Sequence, residues 1–122
     1  MDVSLRSVRN ILNKLTVNNI CVLYQELETL FKSDKKKIAA AFETCLVDQL
    51  SSDVKLLDFQ LLCLSGISAL FYQKDYERLS SFVSEAKVTN QTNLFRFCGF
   101  LYMIKALSVS ELLGMISTLV YI

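Results

Sequence analysis

Apolar side chains recur at intervals of three and four residues along nearly the whole chain, which is the pattern of amphipathic α-helices. Polar residues that favour helix starts separate the apolar segments. The pattern therefore predicts an all-helical protein with seven helices. They span Val3–Leu15, Val17–Phe31, a segment that begins at Ser33 or Asp34, Val54–Tyr72, Tyr76–Lys87, Leu94–Leu107, and Val109 to the end of the sequence.

Side chains that can accept a hydrogen bond from a free backbone N–H mark the expected helix starts. Thr16 is expected to cap the second helix, Ser51–Asp53 to start the fourth, and Asp75 to open the fifth. Ser108–Glu111 fits a capping box, in which the hydroxyl and the carboxylate each satisfy one free N–H. Val88–Asn93 is the one extended polar loop that the pattern predicts.

The helical spacing also assigns side chains to the core. The polar face of the fourth helix nearly disappears, so we expect other helices to enclose it. The remaining positions expected to face inward are Leu5, Val8, Ile11, Leu12 and Leu15 in the first helix, Ile20, Leu23, Leu27, Leu30 and Phe31 in the second, Ile38, Ala41, Phe42, Cys45 and Leu46 in the third, and Leu79, Phe82, Val83 and Ala86 in the fifth.

Short connections between helices favour consecutive antiparallel hairpins, which either close into a bundle or stack into an α-solenoid. The last predicted helix has no polar face over residues 112–122. An open stack needs a polar outer cap for solubility, so this helix is either buried or stacked on a neighbour. We favour an α-solenoid of antiparallel helix pairs, organised as a single domain over residues 1–122.

Composition narrows the function. The chain has 13 Lys and Arg against 12 Asp and Glu, and a net charge of +1 excludes a nucleic-acid binder held by overall charge. Its lack of histidine removes the commonest general base and most zinc sites. Its three glycines are scattered and cannot form a phosphate loop. We therefore expect no enzymatic activity, no catalytic residue, no metal, no cofactor and no small-molecule substrate.

The cysteines Cys21, Cys45, Cys63 and Cys98 form no CxxC pair, and each lies inside an apolar stretch. We interpret them as small buried hydrophobic residues in a reducing compartment, with two disulfides in a secreted protein as the alternative. The start of the sequence lacks an apolar signal segment, which favours a cytoplasmic protein.

The apolar run from Phe100 to Ile122 has the length of a membrane span, but Lys105 and Glu111 interrupt it. We therefore expect a core helix and no membrane partner. A membrane-associated helical protein is the alternative.

Two segments resemble a known family. Val8–Thr16 reads VRNILNKLT, and Arg96–Leu101 reads RFCGFL and is followed by Lys105–Ser108, which reads KALS. Both segments, in this order and in helical context, resemble the middle domain of translation initiation factor 4G. Related members act in nonsense-mediated decay, splicing and ribosome assembly.

The resemblance implies a stack of helix pairs of the HEAT type, and the chain has room for about three pairs. The chain is therefore expected to correspond to the amino-terminal part of that middle domain or to a reduced version of it. The resemblance also implies a non-catalytic scaffold in translation initiation that binds a DEAD-box RNA helicase of the initiation-factor 4A type, with RNA and other initiation factors as further partners. The same helicase-docking role in ribosome biogenesis, splicing or nonsense-mediated decay, in the nucleus or nucleolus, is one alternative. A compact helical protein of the viral apoptosis-inhibitor type, with a groove for an amphipathic helix, is the other.

Two groups of residues are candidates for binding. Arg9, Asn13 and Lys14 in the first helix are candidates for contact with an acidic partner surface; the alternative roles are a solvated charged face and an amide that ties the helix end to its neighbour. The RNA-binding candidates are Lys32, Lys35, Lys36 and Lys37. Residues 1–40 hold seven basic and four acidic side chains, so a local basic edge could meet phosphates, and a solvated charge run is the alternative.

Overall fold

The computed structural model describes residues 3–104, and this part of the chain is all-helical, without strands. Its helices are α1 (Val3–Asn13), α2 (Ile20–Ser33), α3 (Lys35–Leu50), α4 (Asp58–Phe71), α5 (Tyr76–Glu85) and α6 (Gln91–Met103). The helix expected from Val109, its capping box at Ser108–Glu111 and the segment Lys105–Ser108 lie outside the described residues.

Most of the close packing joins helices that are next but one along the chain, although α3 and α5 do not pack closely in this way. α1 lies along α3, α2 contacts both α3 and α4, and α4 lies along α6. α1 and α3 run in the same direction, since positions 5, 9 and 13 contact positions 45, 48 and 49 in that order. α4 and α6 also run in the same direction, because the first turn of α6 contacts the residues just before α4.

The core consists largely of the side chains that the helical spacing predicts. All the predicted positions of α3 are buried, and those of the other helices are buried or half-buried at the edge of the same cluster. The prediction of the core is therefore confirmed for α1, α2, α3 and α5.

Gly66 lets α2 approach α4 closely, because a methyl group at this position would lie 3.0 Å from Cδ1 of Ile20.

Two predicted helix starts are confirmed. The carboxylate of Asp34 accepts a hydrogen bond from the N–H of Lys37, and that of Asp75 accepts one from the N–H of Arg78, each at 3.2 Å. Both bonds satisfy an N–H that the first turn of a helix leaves unpaired. α3 and α5 therefore begin where local chemistry places their caps.

The predicted start of α2 at Thr16 is wrong. The side chain of Asn19 accepts from the N–H of Thr16 at 2.7 Å and donates to the carbonyl of Lys14 at 2.8 Å. These bonds hold residues 14–19 in turns, because the Asn19 amide occupies the backbone groups that a helix would pair. As a result, α1 ends at Asn13 and α2 begins at Ile20.

The predicted start of α4 at Ser51–Asp53 is also wrong, because a long-range contact holds this segment out of the helix. The fully buried Asn93 donates from Nδ2 to the carbonyls of Leu50 and Val54, at 3.2 and 3.1 Å. Its Oδ1 accepts from the N–H of Leu56 at 3.0 Å. One amide thus pairs three backbone groups of a segment that has few partners of its own.

Two further side chains of this region reinforce the contact. Arg96 donates to the carbonyl of Leu56 and to the carboxylate of Asp58. Asn90, the N-cap of α6, accepts from the N–H of Asn93 at 3.1 Å and donates to the carbonyl of Ser52 at 2.8 Å. The loop predicted to extend through residue 93 therefore ends at Asn90, and α6 begins at Gln91.

α4 is not enclosed, and this prediction is wrong for the described residues. Phe59 is 54% exposed and Leu62 is 40% exposed, so one side of α4 lies at the surface. Its closest neighbours are α2, α5 and α6, which cover the opposite sides. An apolar sequence thus did not imply burial on every side, because folded proteins expose much apolar area.

We expect Asn93→Ala to lower the free energy of unfolding by about 3 kcal/mol, because it removes three hydrogen bonds to the backbone and leaves the buried carbonyl of Leu50 and the half-buried N–H of Leu56 without the partner that Asn93 provides. Urea denaturation followed by circular dichroism measures the change. Asn10→Ala, at an exposed position of α1, is the control and is expected to change stability by less than about 0.5 kcal/mol. Equal stabilities of the two variants would contradict the role assigned to Asn93.

Candidate functional site

The candidate partner-binding residues of α1 lie at its carboxyl end, beside the end of α3. Arg9 forms a salt bridge with Asp48 at 3.4 Å, and Oδ1 of Asn13 accepts from Nε2 of Gln49 at 3.0 Å. Lys14 is exposed just beyond the helix. Arg9 and Asn13 thus join α1 to α3 on one face of the helix, and Lys14 follows Asn13 at the exposed end of that helix.

The four candidate RNA-binding lysines lie at the junction between α2 and α3. We call them the lysine row: Lys32, Lys35, Lys36 and Lys37. Lys32 lies in the last turn of α2, where its Nζ is 3.5 Å from Oε1 of Glu28. Lys35, Lys36 and Lys37 form the first turn of α3, and all four lysines are exposed. Lys32 and Lys35 line a cleft, whereas Lys36 and Lys37 do not contribute to its lining.

This cleft has a volume of about 310 Å³ and lies where the end of α2 and the start of α3 meet the end of α4 and the start of α5. We call it the basic cleft. Its apolar wall includes Phe31, Ala39, Leu70 and Phe71. The ring of Phe71 meets that of Phe31 edge-on, with centroids 5.2 Å apart, and stacks on Phe42 at 4.4 Å.

Two tyrosines fix the polar side of the cleft. The hydroxyl of Tyr72 donates to Oε2 of Glu43 at 2.9 Å. That of Tyr24 donates to Oε2 of Glu28 at 3.2 Å and accepts from Nε2 of Gln73 at 3.0 Å. Burial, together with the carboxylate of Glu43, raises the pKa of Tyr72, and burial raises the pKa of Tyr24. Both hydroxyls therefore stay protonated and hold the turn after α4 in place.

The rim of the cleft is basic. It carries four cations and two carboxylates, a net charge of +2: Lys32, Lys35, Lys74, Arg78, Glu28 and Asp75. Glu28 already bonds Tyr24 and Lys32, and Asp75 caps α5. Within residues 3–104, no carboxylate lies within 4.0 Å of the charged nitrogens of Lys35, Lys74 or Arg78.

Lys74 and Arg78 line the same cleft as part of the lysine row, and their sequence context did not predict this. They are separated from Lys35 by about 40 residues, and neither forms a run of like charge. One local feature of the sequence did point to them. Asp75 predicts a helix start, so Lys74 and Arg78 beside it are expected at the junction between two helices. Nothing in the sequence placed that junction against the start of α3.

The cysteines are free thiols in the structure, and Cys45, Cys63 and Cys98 are buried as predicted. Cys21 is exposed, which corrects the prediction for this residue. Burial raises the pKa of the Cys45 and Cys63 thiols and raises that of Cys98 to about 12. The three buried thiols thus behave as apolar side chains at neutral pH.

Within residues 3–104, no group of three or more cysteine, aspartate or glutamate side chains is placed to hold a metal ion. None of the six helices there combines the length and the apolar character needed to cross a bilayer.

No protein-family model, no curated protein and no solved structure matches this chain.

Alkaline pH is expected to destabilise the protein through Cys98. The unfolded chain ionises this thiol above about pH 9, whereas the folded chain keeps it protonated to about pH 12. The unfolded state then binds fewer protons, so the free energy of unfolding falls between these values, by at most about 1.4 kcal/mol per pH unit for this group. Below pH 9 the contribution is fully present.

Urea denaturation from about pH 8 to about pH 10.5 measures this dependence, because the series starts below the ordinary pKa of the thiol and ends below the raised pKa of about 12. Cys98→Ala should make the fall in stability shallower. Cys21→Ala is the matched control and should leave the slope unchanged, since this side chain is solvated in both states. Identical slopes for all three proteins would refute the assignment to Cys98.

Proposed function

We propose that this chain is a non-catalytic helical-repeat scaffold that binds a DEAD-box RNA helicase of the initiation-factor 4A type in translation initiation. The supporting observation is the packing of α1 with α3, of α2 with α4, and of α4 with α6, each a helix and the next but one along the chain. Stacked helix pairs pack in this way because each pair covers the apolar face of the pair before it. An α-solenoid of the HEAT type is the architecture that we propose.

The second support is the surface at the ends of α1 and α3. The segment VRNILNKLT lies here, with Ile11 and Leu12 buried and Lys14 exposed. Arg9 and Asn13 bond across to α3, so they present a preformed polar surface to a partner. A preformed surface loses little conformational entropy on binding, which suits a docking role. In this proposal Lys14 meets acidic groups of the helicase.

Two alternative functions can be compared with the proposed scaffold on the same surface and the same helix packing. Docking a helicase in ribosome biogenesis, splicing or nonsense-mediated decay would use the same surface, and the identity of the bound helicase discriminates between these roles. The apoptosis-inhibitor type of protein needs an enclosed central helix. The exposed Phe59 and Leu62 of α4 therefore favour the scaffold. Contact of RNA with the lysine row, and of further initiation factors, remains a prediction.

We expect the purified chain to bind at least one DEAD-box helicase in a panel that includes the initiation-factor 4A type and the splicing, decay and ribosome-assembly types. Lys14→Glu should weaken this binding about tenfold, because it places a like charge opposite an acidic surface. Biolayer interferometry at two salt concentrations measures the affinity.

The control is Lys55→Glu, which makes the same charge change at an exposed position in the segment before α4. It should bind the helicase as the original chain does. If no helicase in the panel binds, the proposed function is wrong. If Lys14→Glu and Lys55→Glu bind equally well, the surface at the end of α1 is not the docking site.

A further inference from the structure

We propose that the basic cleft is a second docking site, which binds a segment of a partner protein that carries an aromatic or long aliphatic side chain flanked by carboxylates. The cleft lies near the start of α3, whereas the surface of Arg9, Asn13 and Lys14 lies near its end. Lys35 and Asp48 are 13 residues apart on this helix, which is about 20 Å at 1.5 Å per residue. The two sites are therefore separate, and this inference does not rest on the helicase.

The shape and the wall of the cleft favour an apolar anchor. Its volume of about 310 Å³ lies at the lower end of the range for ligand sites, so it suits one or two side chains. Phe31, Leu70 and Phe71 offer apolar surface, and Phe71 is held in place by its stacking on Phe42. A large side chain that enters the cleft loses its contact with water at a prearranged wall.

The rim favours carboxylates beside that anchor. Lys35, Lys74 and Arg78 come from three different segments and surround the opening without a carboxylate partner of their own in residues 3–104. Carboxylates of a bound segment would complete these pairs at the edge of an apolar site, where charge pairing selects the partner and speeds its association. The anchor supplies contact area and the acidic flanks supply selectivity.

The same rim disfavours a nucleic acid in the cleft, so the RNA contact predicted for the lysine row would fall to Lys36 and Lys37, which lie outside the lining. Glu28 and Asp75 stand among the cations, and both would repel a phosphate backbone.

The aromatic rings also pack against one another: Phe71 stacks on Phe42 and makes T-shaped contacts with Phe31 and Tyr72. Bases stack on open ring faces, so this wall is a poor platform for them. A protein segment fits both the wall and the rim.

Selection from a random peptide library displayed on phage, with the whole chain as bait, tests the proposal while the partner is unidentified. We expect the enriched peptides to combine acidic residues with a central aromatic or long aliphatic residue. Synthetic versions labelled with fluorescein then give affinities by anisotropy. Replacing the central residue by alanine, or the acidic residues by their amides, should each weaken binding at least about tenfold.

The double variant Lys35→Glu with Arg78→Glu should also weaken peptide binding at least about tenfold. Both positions lie in the first turn of a helix, where an acidic side chain is favourable, so the variant is expected to fold. The matched control is Lys55→Glu with Lys87→Glu, which changes the charge equally at exposed positions outside the cleft and should bind peptide as the original chain does.

Three outcomes would overturn the proposal. The first is a selection that enriches no acidic, apolar-anchored peptide. The second is equal binding of such a peptide by the double variant and the original chain. The third is displacement of the peptide by a single-stranded oligouridine of similar charge at equal or lower concentration, which would make the cleft a nucleic-acid surface. Helicase binding by the double variant is measured in parallel, so failure of one site is distinguished from failure of the other.

Discussion

The position of one buried amide decides how the second half of the described fold is arranged. Asn93 has no contact with water, so each of its polar groups needs a partner, and it finds three in the backbone between α3 and α4. Those backbone groups in turn have few other partners. The constraint is mutual: the segment cannot become helical without leaving the amide unpaired, and α6 cannot move without leaving the segment unpaired.

This constraint extends to the candidate sites. With its start held at Asp58 by Asn93 and Arg96, α4 ends at Phe71, and the turn that follows places Lys74 and Asp75 against α2 and α3. The stacking of Phe71 on Phe42 fixes that junction from the other side. The basic cleft thus exists because a polar contact at one end of α4 and an aromatic contact at the other set the position of a single helix.

Different interactions hold the surface formed by α1 and α3 together. Here the buried side chains come from amphipathic faces with regular spacing, and the polar contacts of Arg9 and Asn13 lie at the edge. An exposed ion pair of this kind contributes little to stability, at most about 1 kcal/mol. Its consequence is geometric, because it orders the polar side chains beside Lys14. The chain therefore carries two surfaces, one at each end of α3, with different charge and different depth.

Local patterns in the sequence were sufficient for the all-helical class, for the caps at Asp34 and Asp75, and for the core positions assigned to α1, α2, α3 and α5, because each depends on residues within one or two helical turns. The tertiary structure alone decided that α4 begins at Asp58, that Asn93 is buried, and that Lys35, Lys74 and Arg78 share one cleft. The partners in these contacts are separated by about 40 residues along the chain. Spacing and capping rules describe only neighbours, so contacts of this range become visible only when the helices are packed.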